Sequence, residues 1–304
     1  MPIDFENQSV DVGGVDDRRG GGGMSGGLAI GGGAGIIGVI IFLLNMFLGG
    51  GASTSGLSPV NVGANGTANT ESAQQLSDRC NTSGALQQYS DCRIIKVYDI
   101  ANDVWQAEFQ RRNIEFNKPR LAFFSDQTQT GCGAATADVG PFYCPADQEI
   151  YFDLNFLDVL QQKFGAAGDY AQAYITAHEY GHHLQTILGI EPQVRQLQNR
   201  NPSRANNYSV ALELQADCFA GVWANLSQNV PGNSIKLTQQ NIAEALNAAR
   251  AVGDDTIQQK VQGRVDPDGF THGSAAQRQE WFSNGFSTGD INQCNTFKQY
   301  GLSS

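Results

Sequence analysis

Two histidines placed four residues apart constrain this 304-residue chain more than any other feature. His178 and His182 lie in AGDYAQAYITAHEYGHHLQTILG, a stretch that predicts one long helix. We expect the helix to be capped by Asp169 and to end at Gly189. Residues four apart on a helix project from the same face, so both imidazoles can bind one metal ion. The sequence therefore predicts a helix with a candidate metal site on one face.

Glu179 completes the pattern HExxH between these histidines. In this arrangement the glutamate does not bind the ion but acts as general base on a zinc-activated water. A hydrolytic zinc site also needs a third protein ligand and an open fourth position. The longer pattern HExxHxxGxxH is absent, which excludes the metzincin class. The third ligand must therefore lie elsewhere in the chain.

A second predicted helix, NNYSVALELQADCFAGVWANLSQ, supplies that ligand. Glu213 and Asp217 lie one turn apart on it and face the same way. Both interrupt an otherwise apolar run, and buried acids need partners such as a cation or an imidazole. Glu213 is the predicted third ligand, and Asp217 is predicted to fix the tautomer of a ligand histidine. The competing interpretation of an isolated ExxxD pattern is a solvated helix face.

The other two histidines are less constrained. His183 points about 100° away from His182 around the helix, so we interpret it as a surface or packing residue without an assigned role. His272 lies in THGSAAQR, just before the last predicted helix. A zinc hydrolase needs a donor that stabilises the developing oxyanion, and His272 is a candidate for it. The alternative for His272 is a surface or capping residue.

Elsewhere the pattern is typical of a mainly α-helical α+β domain with a small β-sheet near its start. The runs RLAFFSD and EIYFD have the aromatic and β-branched enrichment of strands. Helical spacing of apolar residues extends over residues 83–113, and it recurs in FLDVLQQKFG, IAEALNAARAVGDDTIQQK and SAAQRQEWFSNGF.

The beginning of the chain differs in composition from the rest. Residues 1–27 are polar, acidic and glycine-rich, which predicts a disordered tail. Residues 28–48 carry no charge and reach roughly 30 Å as a helix, which predicts a transmembrane helix. The alternative is a cleaved signal peptide, whose apolar core is normally shorter. Residues 49–79 have the composition of a flexible linker, and residues 80–304 form the predicted catalytic domain.

Charge predicts an orientation and excludes one class of partner. Arg18 and Arg19 precede the apolar segment, and the next basic residue is Arg79. This asymmetry predicts a single-pass membrane protein with a cytoplasmic N-terminus and an extracytoplasmic domain, in the periplasm or at the cell exterior. The net charge of −11 argues against a nucleic-acid partner, because phosphate binding needs clustered Lys and Arg.

All six cysteines lie beyond the apolar segment, and an even number in a domain predicted to be extracytoplasmic fits disulfides. The alternatives are thiolate metal binding, although no CxxC occurs, and free buried cysteines, Cys218 especially. Two short local loops and one long-range link give the predicted pairs, which are Cys80 with Cys92, Cys132 with Cys144, and Cys218 with Cys294.

The motifs HEYGH, ELQAD and THGSAAQR resemble those of gluzincin metallopeptidases. His272 and Arg278 match the spacing of the histidine and arginine in the THPxxxxR signature of membrane peptidases, although Gly273 stands where they have proline. Nearly the whole chain resembles the bacterial neutral zinc metallopeptidase family. Its members similarly combine a glycine-rich N-terminus containing VDDRRG, a single span, CG...GPFYCP...D, HEYGHH, LELQADCFAGVW and THGSAAQR.

The resemblance implies a zinc peptidase with a defined set of functional residues. It also implies that residues 140–153 supply an edge strand above the active-site helix, where an extended peptide can bind by strand addition. Tyr143 and Tyr151 are the side chains in it whose replacement we expect to alter turnover more than zinc content. The implied roles are zinc ligation by His178, His182 and Glu213, general base for Glu179, orientation of a ligand histidine by Asp217, and oxyanion stabilisation by His272.

The predicted function is a membrane-anchored zinc endopeptidase that acts on a peptide or protein substrate. One competing hypothesis is a zinc-stabilised, non-catalytic binding or scaffold module of the cell envelope. The intact Glu179 argues against it, because a structural zinc site closes its fourth position and needs no base. Another is hydrolysis of a non-peptide amide, which no sequence feature excludes.

Overall fold

The computed structural model describes residues 2–19, 71–136, 139–166 and 168–300. Within these ranges the chain forms ten α-helices and eight short strands. The helices are α1 (Ala73–Cys80), α2 (Ala85–Gln88), α3 (Ser90–Arg111), α4 (Asn155–Phe164), α5 (Asp169–Ile187), α6 (Ile190–Arg200), α7 (Ala205–Leu226), α8 (Gln239–Ala251), α9 (Asp254–Gln262) and α10 (Ala275–Thr288). The strands are β1 (Asp4–Phe5), β2 (Val15–Asp17), β3 (Arg120–Phe124), β4 (Gln127–Thr130), β5 (Gly133–Thr136), β6 (Phe142–Cys144), β7 (Glu149–Asp153) and β8 (Ile235–Lys236). The predicted mainly helical domain with small sheets is confirmed.

The largest sheet contains four strands in the order β2, β3, β7, β6. Strands β2 and β7 lie parallel to β3, whereas β6 is antiparallel to β7 and forms the edge. Residues 121–124 and 150–152 are fully buried, as expected of central strands rich in aromatic and β-branched residues. Strand β6 packs against α5, so the edge strand lies beside the helix that carries the histidines.

Helices α5 and α7 pack closely because Gly181 has no side chain. A Cβ atom on Gly181 would lie 3.1 Å from both the Cα and the carbonyl oxygen of Ala216 on α7. That separation is shorter than an ordinary carbon contact. The glycine within HEYGHH therefore allows the approach of the two helices that carry the candidate ligands.

The ends of α5 differ in detail from the sequence prediction. Its N-cap is Gly168 with φ 115°, and Asp169 is the first helical residue, within 3.2 Å of the Arg93 guanidinium. The polar stretch after Gly189 forms α6, which the sequence did not predict. Pro192 sits in the first turn of α6, where a missing N–H costs no helical hydrogen bond.

Residues 2–19 belong to the folded domain, which corrects the prediction of disorder for this part of residues 1–27. Residues 20–27 lie outside the described residues. Strand β1 pairs with β8 and β2 pairs with β3. Ile3, Phe5 and Val10 are buried in the core of the domain. This polar, glycine-rich segment cannot build a core alone, but the domain supplies partners for its few apolar side chains. The folded domain also begins before Cys80, with α1.

The predicted location, a single-pass membrane protein with its domain outside, is corrected by the same strand pairing. One crossing between residues 19 and 71 would place β2 and β3 on opposite sides of a membrane, whereas they are hydrogen-bonded neighbours. In the described ranges, no helix has both the length and the apolar character needed to cross a bilayer. The predicted span, residues 28–48, and most of the predicted linker lie outside the described residues.

The predicted disulfide pattern is confirmed, and no described cysteine is free. Cys218 and Cys294 are 76 residues apart, and their bond ties the C-terminal segment to α7. Closing a loop of that length typically stabilises a fold by about 4 kcal/mol. The other two bonds, each across a separation of 12 residues, are Cys80–Cys92 and Cys132–Cys144.

Candidate metal centre

The structure brings the three predicted ligands together from α5 and α7. Nε2 of His178 lies 3.2 Å from one Glu213 carboxylate oxygen, and Nε2 of His182 lies 3.5 Å from the other. The three side chains are buried, and their ligand atoms lie within 4.8 Å of one another. Helical spacing thus places two nitrogens one turn apart, and the close approach of α7 adds the carboxylate.

This group fits a zinc ion. Nε2 of His182 is buried and makes no hydrogen bond to any described residue, an arrangement that is costly unless another partner binds it. Two imidazoles and one carboxylate are a donor set that zinc uses in hydrolytic sites, with the fourth position left open. His178, His182 and Glu213 can therefore hold the metal.

Asp217 holds His178 from the side away from Glu213. Its carboxylate accepts a hydrogen bond from Nδ1 of His178 at 2.9 Å and from the Tyr174 hydroxyl at 2.5 Å. The guanidinium of Arg278 donates to both oxygens, at 2.8 and 3.0 Å. When His178 is neutral, this contact places its proton on Nδ1 and leaves Nε2 for a metal, which is the orienting role that the sequence predicts for Asp217.

Arg278 and Tyr174 are functional neighbours whose roles the sequence did not reveal. Both are fully buried, and Arg278 also donates to the carbonyl of Val252. Burial opposes the charge of Arg278, but Asp217 outweighs it and raises the pKa of the guanidinium. The signals were the spacing of Arg278 from His272 and the position of Tyr174, one turn before His178.

The two ligand histidines differ in their protonation. Burial lowers the pKa of His182 to about 4, so this ring is neutral and ready to bind a metal. Burial also opposes protonation of His178, but the charge of Asp217 outweighs it and raises the pKa to about 9. Burial alone would raise the pKa of Glu213, yet the facing His182 and His272 lower it. A metal must therefore displace a proton from His178.

Glu179 is buried beside the ligand set and has no hydrogen-bond partner for either oxygen among the described residues. Burial raises the pKa of its carboxyl to about 8, although His178, Arg278 and the backbone N–H of Tyr143 lower it. A carboxyl group that titrates near neutral pH can both accept and release a proton there.

His183 is buried and packs behind the metal group, contrary to the surface alternative. Its Nδ1 lies 3.0 Å from the hydroxyl of Tyr143, and its Nε2 donates to the carbonyl of Asn117 at 2.6 Å. Tyr143 belongs to β6, so His183 fastens the edge strand to α5. This contact explains the third histidine of HEYGHH without a metal role.

His272 is buried and held by Asp254, at the first residue of α9. Nδ1 of the ring lies 3.3 Å from one Asp254 oxygen, and the other oxygen accepts the backbone N–H groups of Thr271, His272 and Gly273 at 2.7 to 2.9 Å. Gly273 has φ 90°. Proline provides neither this φ nor an N–H, which explains the departure from the membrane-peptidase signature.

The tyrosine side chains of the edge region lie in the interior of the domain. The side chains of Tyr143 and Tyr151 are buried, the first against His183 and the second against Asp147 and Glu149. Replacing either side chain would therefore disturb packing. What β6 can offer a peptide is its main chain.

The chain is similar in sequence to a protein family and to proteins of known sequence from two bacteria. The model of the family described as "Putative neutral zinc metallopeptidase" matches residues 6–297. The Escherichia coli K12 protein named "Uncharacterized protein YpfJ" is 52% identical over 196 residues, which cover 64% of this chain and 67% of that protein. The Mycobacterium tuberculosis H37Rv protein named "Uncharacterized protein Rv2575" is 42% identical over 231 residues, or 74% of this chain and 76% of that protein. No solved structure matches.

Proposed function

The chain belongs to the family of neutral zinc metallopeptidases, and on that premise we propose that it is an endopeptidase that hydrolyses internal bonds of a peptide or protein. The observation that carries the proposal is the buried, unpartnered carboxylate of Glu179 beside a complete set of zinc ligands. A buried acid without a partner lowers the stability of the fold. We attribute its presence beside the zinc ligands to a catalytic role.

The residues divide the chemistry among them. His178, His182 and Glu213 would hold the zinc ion, which would supply a Lewis acid able to polarise the peptide carbonyl and to make water acidic. Glu179 accepts the proton of the attacking water and delivers it to the leaving amine. His272 is anchored through Nδ1, so Nε2 is the nitrogen available to the oxyanion.

Strand β6 is the proposed binding edge for substrate. It ends the four-stranded sheet and packs on α5, and the backbone N–H of Tyr143 lies close enough to affect Glu179. An extended peptide that pairs with this edge places its main chain along the catalytic helix, on both sides of the bond to be cleaved. That geometry favours internal bonds over terminal ones.

The decisive variant is Glu179→Gln, which keeps the shape of the side chain but cannot accept a proton. We expect peptide turnover to fall by a factor on the order of 10²–10⁴, with zinc content unchanged. The matched control is Glu280→Gln, an exposed acid on α10, which should leave both unchanged. Peptide cleavage followed by mass spectrometry, with metal analysis of the same preparations, measures both quantities. Full activity in Glu179→Gln would overturn the proposed mechanism.

Zinc removal separates the enzyme from the scaffold hypothesis. If the metal serves catalysis, chelation should abolish cleavage while the near-ultraviolet circular dichroism of the domain persists, because the three disulfides and the core remain. A domain that unfolds on chelation and never cleaves a peptide would favour the scaffold.

A further inference from the structure

The two ligand histidines are held by different kinds of partner. His178 donates to a carboxylate on a neighbouring helix, Asp217. His182 instead contacts a neutral amide on its own helix, with Nδ1 2.9 Å from Oε1 of Gln185. Both His182 and Gln185 are fully buried. His182 is therefore oriented by a neutral, buried amide rather than by a carboxylate.

The orientation of the Gln185 amide is fixed by its other contacts. Its Nε2 donates to the carbonyl of Leu212 at 2.7 Å and to Oε1 of Gln215 at 3.2 Å. A flipped amide would set its oxygen against these two acceptors and its NH₂ against the ring. Oε1 is thus the acceptor that faces His182, so the ring carries its proton on Nδ1 and Nε2 is free for the metal.

Gln215 is oriented in the same way by the C-terminal segment. Its Nε2 donates to the carbonyl of Cys294 at 3.0 Å, which leaves Oε1 for Gln185. Cys294 is bonded to Cys218, which follows Gln215 by three residues on α7. The disulfide therefore holds the carbonyl of Cys294, which accepts the hydrogen bond from Gln215, close to α7.

We propose that Gln185 and Gln215 are positioning residues that set the tautomer of His182 for zinc, and that the Cys218–Cys294 disulfide holds this amide relay in register. The proposal rests on the proposed zinc site but not on any step of the hydrolysis. A half-satisfied buried network is costly, so each member depends on the next. The cost of breaking the relay appears first as weaker metal binding.

The first test replaces Gln185 by methionine, which has similar length but makes no hydrogen bond to the ring. Loss of such a partner typically costs 10- to 100-fold in metal affinity, and we expect a fall in that range, measured by competition with a chelator. Gln172→Met is the matched control, because Gln172 lies on the same helix but binds Arg93, and it should leave the affinity unchanged. Equal affinities for wild type and Gln185→Met would overturn the relay.

A second readout separates positioning from mere packing. In the metal-free protein, ¹⁵N chemical shifts should report the Nδ1–H form of His182 for wild type and a mixture of tautomers for Gln185→Met. Gln185→Glu loses the donors to Leu212 and Gln215 but retains an acceptor for Nδ1–H, so it should keep the Nδ1–H form that Gln185→Met loses. The same tautomer in wild type and Gln185→Met would contradict the proposal even if zinc binding weakened.

The disulfide is tested by replacing Cys218 and Cys294 together with alanine, at a temperature where the variant remains folded. We expect a several-fold loss of zinc affinity that largely disappears in the Gln185→Met background, because the two changes break one relay. The control removes Cys80–Cys92 instead and should leave the affinity unchanged. Equal losses in both backgrounds would overturn the role of the disulfide. Failure of these zinc measurements leaves the Glu179→Gln test intact, and the converse also holds.

Discussion

At the scale of single residues, the site is defined by which buried polar atoms have partners. All four donors around Asp217 are satisfied, whereas Glu179 and Nε2 of His182 have no hydrogen-bond partner in the described part of the chain. The satisfied atoms belong to groups that hold ligands in place. In the proposed mechanism Glu179 and His182 are the groups that meet water and the metal. Buried atoms without a partner also occur away from the site, for example on Tyr170 and Trp223, so the position of these two beside the ligand set carries the argument.

A partly buried carboxyl outside the site predicts a pH dependence of stability. Burial, together with the charges of Asp11 and Asp103, raises the pKa of Asp99 to about 7, although the N–H of Asp11 and the charge of Lys96 oppose the shift. The ordinary pKa of an aspartate is about 3.9. Between these values the folded state holds a proton that the unfolded state lacks. The contribution of Asp99 to stability therefore falls as pH rises from 4 to 7, and then stays constant.

Asp99→Asn should remove this dependence, because asparagine stays neutral and can still accept the N–H of Asp11. We expect the variant to be more stable than wild type by roughly 1–3 kcal/mol above pH 7, after allowance for partial solvent screening. The difference should vanish near pH 4. Urea unfolding at a series of pH values measures it, and a difference independent of pH would contradict the assigned pKa.

At the scale of elements, the site depends on the crossing of α5 and α7. The apolar periodicity of the sequence predicts both helices. It also predicts that His178 and His182 share one face of α5, and that Glu213 and Asp217 share one face of α7. The crossing itself depends on Gly181 against Ala216, a contact between residues 35 positions apart that a local pattern does not reveal. Helix propensity and helix packing compete at this glycine.

Gly181→Ala tests that competition. Alanine favours the helix by about 1 kcal/mol, but its Cβ would contact backbone atoms of Ala216 at 3.1 Å, and overpacking of this kind typically costs 1–3 kcal/mol. We expect a small net loss of stability and a clear loss of zinc affinity, because the helices must separate. Thermal unfolding of the metal-free protein and chelator competition measure the two effects. Unchanged zinc affinity would show that the crossing is not limiting.

At the scale of the whole molecule, most of what sequence reasoning missed is long-range. Arg278 reaches Asp217 across 61 residues, Gln215 reaches Cys294 across 79, and β2 joins β3 across more than 100. Periodicity and spacing describe neighbours on one element, so they predicted the ligands and Asp217. They did not predict the contacts of Arg278, Gln185 and Gln215 that hold these groups in place. The prediction of disorder for the N-terminal segment was wrong for the same reason, since β1 and β2 pair with strands that are distant in sequence, β8 and β3.

The central claim is that His178, His182 and Glu213 bind one zinc ion and leave a position open. Diffraction at the zinc absorption edge from the full chain tests it directly. We predict one anomalous peak per chain, with about 2.0–2.1 Å to Nε2 of each histidine, contact with the Glu213 carboxylate and no fourth protein ligand. Zinc bound by other residues, or closed in by a fourth side chain, would contradict the account.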